Sequence, residues 1–195
     1  NDSFLGSGHF PDIFLVMPVF RDERIVGYMV NIAHHVDVGG AAPGSQEVAG
    51  VVSAVQEGLR ILPVRLIRAG EFDEELLRVI LGNVRVPDKL LGDLKAQRNA
   101  NFVGGRRFLE LFDEYSEEVI NQVVEEIFDR SETRMRAHIR ALPDGSYTFE
   151  DWLDDTGPET PPVRVHVKIR VAGDDLVIDF SGSSDQVAAG INSYI

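Results

Sequence analysis

The chain has 195 residues, 44% hydrophobic and 26% charged, with a net charge of −13 at pH 7 and a pI of about 4.7. That charge excludes the clustered positive surface that nucleic acid or an anionic membrane requires, and the apolar content excludes a disordered chain. The absence of cysteine rules out a disulfide framework and a thiolate metal site, and fits a reducing interior such as the cytoplasm.

No run approaches the roughly 18 apolar residues of a membrane span. No basic stretch precedes an apolar segment, as a signal peptide would require. The chain opens on Asn1-Asp2-Ser3 without a methionine and stops on Ser193-Tyr194-Ile195, so it reads as a fragment.

Residues 13–20 and 25–33 are rich in β-branched and aromatic side chains, and the polar turn Arg21-Asp22-Glu23-Arg24 between them predicts a hairpin. Their continuous apolar character predicts that both faces are covered. A glycine-rich loop follows over residues 37–44. Residues 48–54 and 60–68 are expected as further strands, with Pro63 demoting the second to an edge or a bend.

From Asp73 the period becomes helical. Asp73 is the expected N-cap of residues 74–81. Pro87 suits the first turn of a longer segment through Leu90, Leu91 and Leu94 to Tyr115, although Gly104-Gly105 argues against one straight helix. Ser116 caps a third helix whose stripe of Val119, Ile120, Val123, Val124, Ile127 and Phe128 is expected to pack in the core. That helix continues through Met135 and Ile139 until Pro143-Asp144-Gly145 ends it. Asp151, Asp154 and Asp155 around Trp152 suggest an exposed acidic turn. Val163, Val165, Val167, Ile169 and Val171 then alternate with polar residues as a half-buried strand, with His166 on the polar side, and residues 176–180 pair back as a hairpin. The predicted class is α+β: mixed or antiparallel β-hairpins flanking a helical middle, in segments 1–70, 71–142 and 143–195 of one larger subunit.

The densest group of metal-capable side chains lies early: His9 and Asp12, then His34, His35 and Asp37. Imidazole nitrogen and carboxylate oxygen together suit divalent ions such as Mn, Fe, Co or Zn. The two halves flank the predicted hairpin, whose neighbouring strands run roughly 5 Å apart, so local structure predicts a long-range cluster. Alternation sends His34 and His35 to opposite faces and puts His35 with Asp37. One histidine is expected to ligate and the other to hydrogen-bond a ligand or substrate; the residues themselves do not choose between them. Other chemistry is not legible. The loop 39–44 lacks the lysine of a phosphate-binding loop, no Gly-x-Ser-x-Gly elbow occurs, and Arg98, Arg106 and Arg107 with Glu110 read as ordinary ion pairs.

These segments resemble the hydantoinase B/oxoprolinase family. The matching pieces are Asn1-Asp2, Gly6, Gly8-His9 and Pro11-Asp12; Ala33-His34-His35-Val36-Asp37-Val38-Gly39-Gly40 with Pro43-Gly44; Glu57-Gly58-Leu59-Arg60-Ile61; Asn83-Val84-Arg85; Gly92-Asp93-Leu94 with Ala96-Gln97; Arg134-Met135-Arg136; Pro143-Asp144-Gly145; and Asp179-Phe180-Ser181-Gly182-Ser183 with Gln186. Ser3, Phe4, Ser7 and Asp185 depart from the family pattern and leave the substrate open. The resemblance implies ATP-dependent, metal-assisted opening of a hydantoin, 5-oxoproline or other lactam ring. A hydantoinase A-like partner subunit or domain binds the ATP, in a cytoplasmic hetero-oligomer. The same family includes acetone and acetophenone carboxylase subunits, so a ketone carboxylase subunit is the alternative, and a non-catalytic assembly subunit a further one. Carried over residue by residue, the resemblance implies His9, Asp12 and one of the histidine pair, His34 in the first instance, as ligands to a divalent metal, with His35 and Asp37 as catalytic groups.

Overall fold

The structure, a computed structural model, describes residues 1–192. Its backbone combines helices with three antiparallel sheets, the predicted α+β class. Two compact units occur along the chain: Asn1–Glu110 with the stretch from Ala188 onward, and Leu111–Val187. The three sequence segments follow composition instead (strands, helices, strands), and the last three residues of segment 143–195 lie outside the described ones. Among the described residues no helix is long and apolar enough to cross a membrane.

The first unit is built on the predicted hairpin, β1 (Asp12–Arg21) and β2 (Arg24–His34). Asp12 pairs with His34 at the open end and Arg21 with Arg24 at the turn, with one register shift between Val19 and Phe20. Only one face is covered, contrary to the expectation from its continuous apolar character. Ile13, Leu15 and Val19 are buried, whereas Phe14, Val16, Phe20, Tyr28, Val30 and Ile32 are exposed. Period-two alternation of side chains, not total hydrophobicity, decides which residues reach the core.

The covered face receives the long helix. After a single 3-10 turn at Pro43–Ser45 and a short helix α1 (Ala54–Glu57), the chain makes two-residue strands β3 (Ile67–Arg68) and β4 (Glu71–Phe72), then α2 (Glu74–Leu81) and α3 (Pro87–Glu114). Two sequence expectations fail here. Residues 48–53 form no strand, as Gly50 turns at φ +80° and Ser53 caps α1, and of 60–68 only the last two residues do, as Pro63 breaks the run. Asp73 caps α2 as predicted, its carboxylate accepting from the Leu76 N–H at 3.0 Å. Helix α3 is continuous through Gly104-Gly105. A Cβ at Gly104 would lie 3.1 Å from Met29 Sδ, and one at Gly105 2.8 Å from Met17 Cε, so helix and hairpin approach closely at these glycines. Leu90 and Leu94 at 0% exposure, with Phe10, Ile13, Leu15, Val38, Leu66 and Ile80, form the core cluster. Burying each such leucine contributes about 2 kcal/mol. Further along the same face of α3 the buried residues become polar, Gln97 and Asn101.

The second unit contains α4 (Glu117–Arg140) and a three-stranded sheet ordered β5 (Gly145–Leu153), β6 (Val163–Ala172), β7 (Asp175–Asp179). Ser116 caps α4 as predicted, accepting from Val119 N–H at 3.3 Å. Its apolar stripe is not core: Val123, Ile127, Phe128 and Met135 are 52–63% exposed. Asp151 and Trp152, expected in an acidic turn, lie in β5 opposite Val165 and Arg164, while Asp154 and Asp155 follow in the connection. The predicted hairpin of β6 and β7 is present, turning at Gly173 with φ +62°. His166 is half-buried, and its Nδ1 lies 3.1 Å from the Ser181 carbonyl.

Candidate metal centre

The open end of the β1–β2 hairpin gathers the early histidine, an aspartate and one member of the histidine pair. Phe10 and Pro11 are buried, as is Ile13, so alternation turns Asp12 outward and leaves His9 on the rim. The loop is fixed locally. The Asp12 N–H donates to the His9 carbonyl at 3.1 Å, and the buried Ser7 hydroxyl lies 2.9 and 3.1 Å from the His9 and Asp12 carbonyls. From the opposite strand the His35 N–H donates to the Pro11 carbonyl at 2.8 Å, closing the mouth.

Asp12 is the hinge of the group. Its Oδ1 is 3.0 Å from His34 Nδ1 and its Oδ2 is 3.6 Å from His9 Nε2. The two imidazoles meet edge-to-face with centroids 4.8 Å apart. One donor atom from each of His9, Asp12 and His34 falls within 4.8 Å of the others. Donors sharing one ion lie roughly 3–4 Å apart, so the three atoms stand close to, though not at, the spacing that a single cation would need. Two imidazoles and a carboxylate are a donor set that would fit a borderline divalent ion, with the solvent side left open. Gln46 was not singled out by the sequence, yet its Nε2 lies 3.0 Å from His34 Nε2 and sets the ring's orientation. A glutamine in a loop with no periodic pattern carries no signal of that role.

The rest of the sequence-predicted group lies elsewhere. His35 turns away from His34, as alternation required, and is fully buried. Its Nε2 is 3.1 Å from Gln97 Oε1, while its Nδ1 has no hydrogen-bond partner and faces Asp93 Oδ2 at 3.7 Å. Burial pushes the His35 imidazole below its ordinary pKa, against the opposing pull of Gln97 and Asp93, and favours the neutral ring. Asp37 is also buried, but its carboxylate is fully engaged. It accepts from the Arg85 guanidinium at 2.7 Å, the Arg85 N–H at 2.8 Å, and the N–H groups of Gly39 and Gly44 at 3.1 and 3.3 Å. Burial alone would raise its pKa; these donors outweigh that and hold the carboxyl below the usual range. Asp37 and Arg85 therefore clasp the glycine loop, with the same guanidinium donating to the carbonyls of Gly39 and Gly40. Arg107 pairs with Glu110, as expected of the helical arginines, and Arg98 stacks over Phe72.

A family model described as hydantoinase B/oxoprolinase matches residues 1–195. The chain is similar to the caprolactamase subunit beta of Pseudomonas jessenii, 33% identical over 195 residues, covering 100% of this chain and 33% of that protein. The crystal structure of the ATP-dependent caprolactamase from Pseudomonas jessenii superposes with a TM-score of 0.90 at 32% identity, over 100% of this chain and 33% of that one. The nucleotide-free structure of acetone carboxylase shares the fold, with a TM-score of 0.89 at 20% identity over 100% of this chain and 27% of that one. The chain spans about a third of the length of the curated relatives it matches.

Proposed function

This chain belongs to the hydantoinase B/oxoprolinase family, and on that premise we propose that it is the metal-bearing portion of an ATP-dependent hydrolase that opens a small cyclic amide, working in a hetero-oligomer with a hydantoinase A-like partner that binds the ATP. The observation that carries this reading is the convergence of His9, Asp12 and His34 at the hairpin mouth. These three would hold a divalent ion of the Mn, Fe, Co or Zn class. When bound, such an ion polarises a carbonyl or acidifies a bound water.

The chain's own residues supply the rest. Asp12 and Gln46 each hold one nitrogen of the His34 ring at 3.0 Å, and one of those two contacts would give way to the ion. His35, buried and turned to the opposite face from His34, has an Nδ1 without a hydrogen-bond partner that faces Asp93 at 3.7 Å, and is the group we assign to proton handling. Asp37, held by Arg85, keeps the 39–44 loop folded beside the site. Similarity to caprolactamase at 33% identity favours amide hydrolysis over ketone carboxylation, for which the acetophenone carboxylase delta subunit of Aromatoleum aromaticum matches at 23%.

The test uses the complete polypeptide with its partner. Metal analysis should find a bound divalent ion, and His9→Ala and His34→Ala should each remove it together with ATP-dependent ring opening. No bound ion and unaltered activity in both variants would instead assign the histidines a structural role. Turnover that requires bicarbonate would move the protein to the carboxylase reaction.

A further inference from the structure

We propose that Gln97, on α3, is a positioning residue for the metal trio: its side chain ties together the two hairpin strands one residue beyond Asp12 and one residue beyond His34. The inference rests on the metal-centre reading above. Gln97 is 6% exposed and its amide is saturated. Nε2 donates to the Ile13 carbonyl and to Asn31 Oδ1, each at 2.8 Å, and Oε1 meets His35 Nε2 at 3.1 Å. Ile13 follows Asp12 on β1, His35 follows His34 at the end of β2, and Asp12 and His34 face each other in the register. A single helix side chain therefore spans the mouth directly behind the pair of ligands.

The amide's orientation is determined, not free. Both Nε2 hydrogens are used on acceptors that cannot donate, a main-chain carbonyl and the Asn31 side-chain oxygen, so Oε1 must face His35. His35 Nε2 must then carry hydrogen. Asn31 Nδ2 returns a bond to the Gln97 carbonyl at 2.8 Å and reaches Asn101 Oδ1 at 2.9 Å, and Asn101 Nδ2 donates to the Leu15 carbonyl at 3.1 Å. This buried ladder of amides locks α3 to both strands, and Gln97 is its rung nearest the ligands. A core amide kept only for stability would act on folding and leave metal affinity alone; a rung that sets the ligand spacing acts on both. Groups that orient a ligand from behind typically alter metal affinity 10- to 100-fold.

The experiment is a Zn²⁺ and Co²⁺ titration of the complete polypeptide, read by calorimetry and by the visible Co²⁺ spectrum, with thermal unfolding measured in parallel. Gln97→Glu keeps the shape and an acceptor for His35 but has no hydrogens for Ile13 and Asn31; its affinity should fall roughly 10-fold or more, with an altered Co²⁺ spectrum. Asn101→Asp breaks the ladder farther from the mouth, at the Leu15 carbonyl. It should lower stability while leaving metal affinity and spectrum at wild-type values. Should Gln97→Glu not fold, the shorter Gln97→Asn is expected to show the same loss of affinity. Wild-type affinity and spectrum in a folded Gln97 variant overturn the inference while the metal centre stands. Failure of the unmodified protein to bind either ion overturns the metal centre itself, and this inference with it.

Discussion

The two compact units use the same kind of amphipathic pattern to different ends. In the first, the apolar stripe of α3 is sealed against the hairpin: Leu90 and Leu94 are 0% exposed, and even the polar positions Gln97 and Asn101 are buried and hydrogen-bonded. In the second, the stripe of α4 is equally regular, yet Val123, Ile127 and Phe128 are exposed, and among the described residues of that unit the buried hydrophobics are Phe112 and Val171. A helical period identifies which side of a helix is apolar. It does not say what covers that side, which is a property of the tertiary partner.

The strongest way to break this contrast is truncation. Leu94→Ala should destabilise the first unit by about 2–5 kcal/mol, through lost burial plus a residual cavity, whereas Ile127→Ala on α4 should change stability by no more than about 0.5 kcal/mol. Chemical denaturation of the complete polypeptide measures both, and equal losses would erase the distinction between the two stripes. A smaller effect should follow from the backbone. Gly40 has φ +82°, and an added Cβ would sit 2.5 Å from the Gln56 carbonyl oxygen, so Gly40→Ala should cost about 1–3 kcal/mol. Gly173 in the second unit has φ +62° with open space around it, and Gly173→Ala should cost nearer 1 kcal/mol. If the two losses match, crowding around the glycine loop is not what distinguishes them.

Acid should act most gently, on the first unit through Asp2 and Asp37 and on the second through Asp179, whose carboxyl Ser181 holds down. Asp2, hydrogen-bonded by Arg60, and Asp37, buried but held by Arg85 and two loop N–H groups, both have carboxyls depressed below the usual carboxylate range. A depressed folded-state pKa means that the unfolded chain binds protons first. The stabilisation is thus complete above about pH 4 and is lost as pH falls through the folded-state values. A stability profile between pH 6 and 2 should show this loss, and Asp37→Asn should flatten it. An unchanged slope in that variant would assign the acid response to other carboxylates.

Much of the site was readable because it is local. Two β-rich runs separated by a four-residue polar turn force a hairpin, and a hairpin forces His9 and Asp12 toward the end of β2. Alternation then separated His34 from His35 correctly. Parity pairs Asp37 with His35 as a catalytic group, but strand alternation stops at His34, and beyond it the carboxylate is taken up by Arg85 and the loop. The partners Gln46 and Gln97 come from distant segments, and single-sequence periodicity has no reach over such distances. A faint signal did exist for Gln97: it lies on the buried face of α3, in line with Leu90 and Leu94, and a polar residue at a core position demands a hydrogen-bonding reason. Within the β segment 143–195 the acidic turn expected around Trp152 is strand β5 up to Leu153, because Tyr147, Phe149 and Asp151 mix aromatic and acidic residues at one parity and only pairing with β6 makes the run regular.

The adjacent glycines of α3 bind the fate of helix and hairpin together. Each lowers intrinsic helicity by about 1 kcal/mol relative to alanine, so the middle of α3 is the part least able to stand alone. What sustains it is contact with Met17 and Met29, which only a formed hairpin presents. The hairpin, a lone two-stranded ribbon, depends in turn on that helix for its backing. Helix and hairpin back one another at this contact, so a loosening of α3 reaches the strands whose open end carries His9, Asp12 and His34.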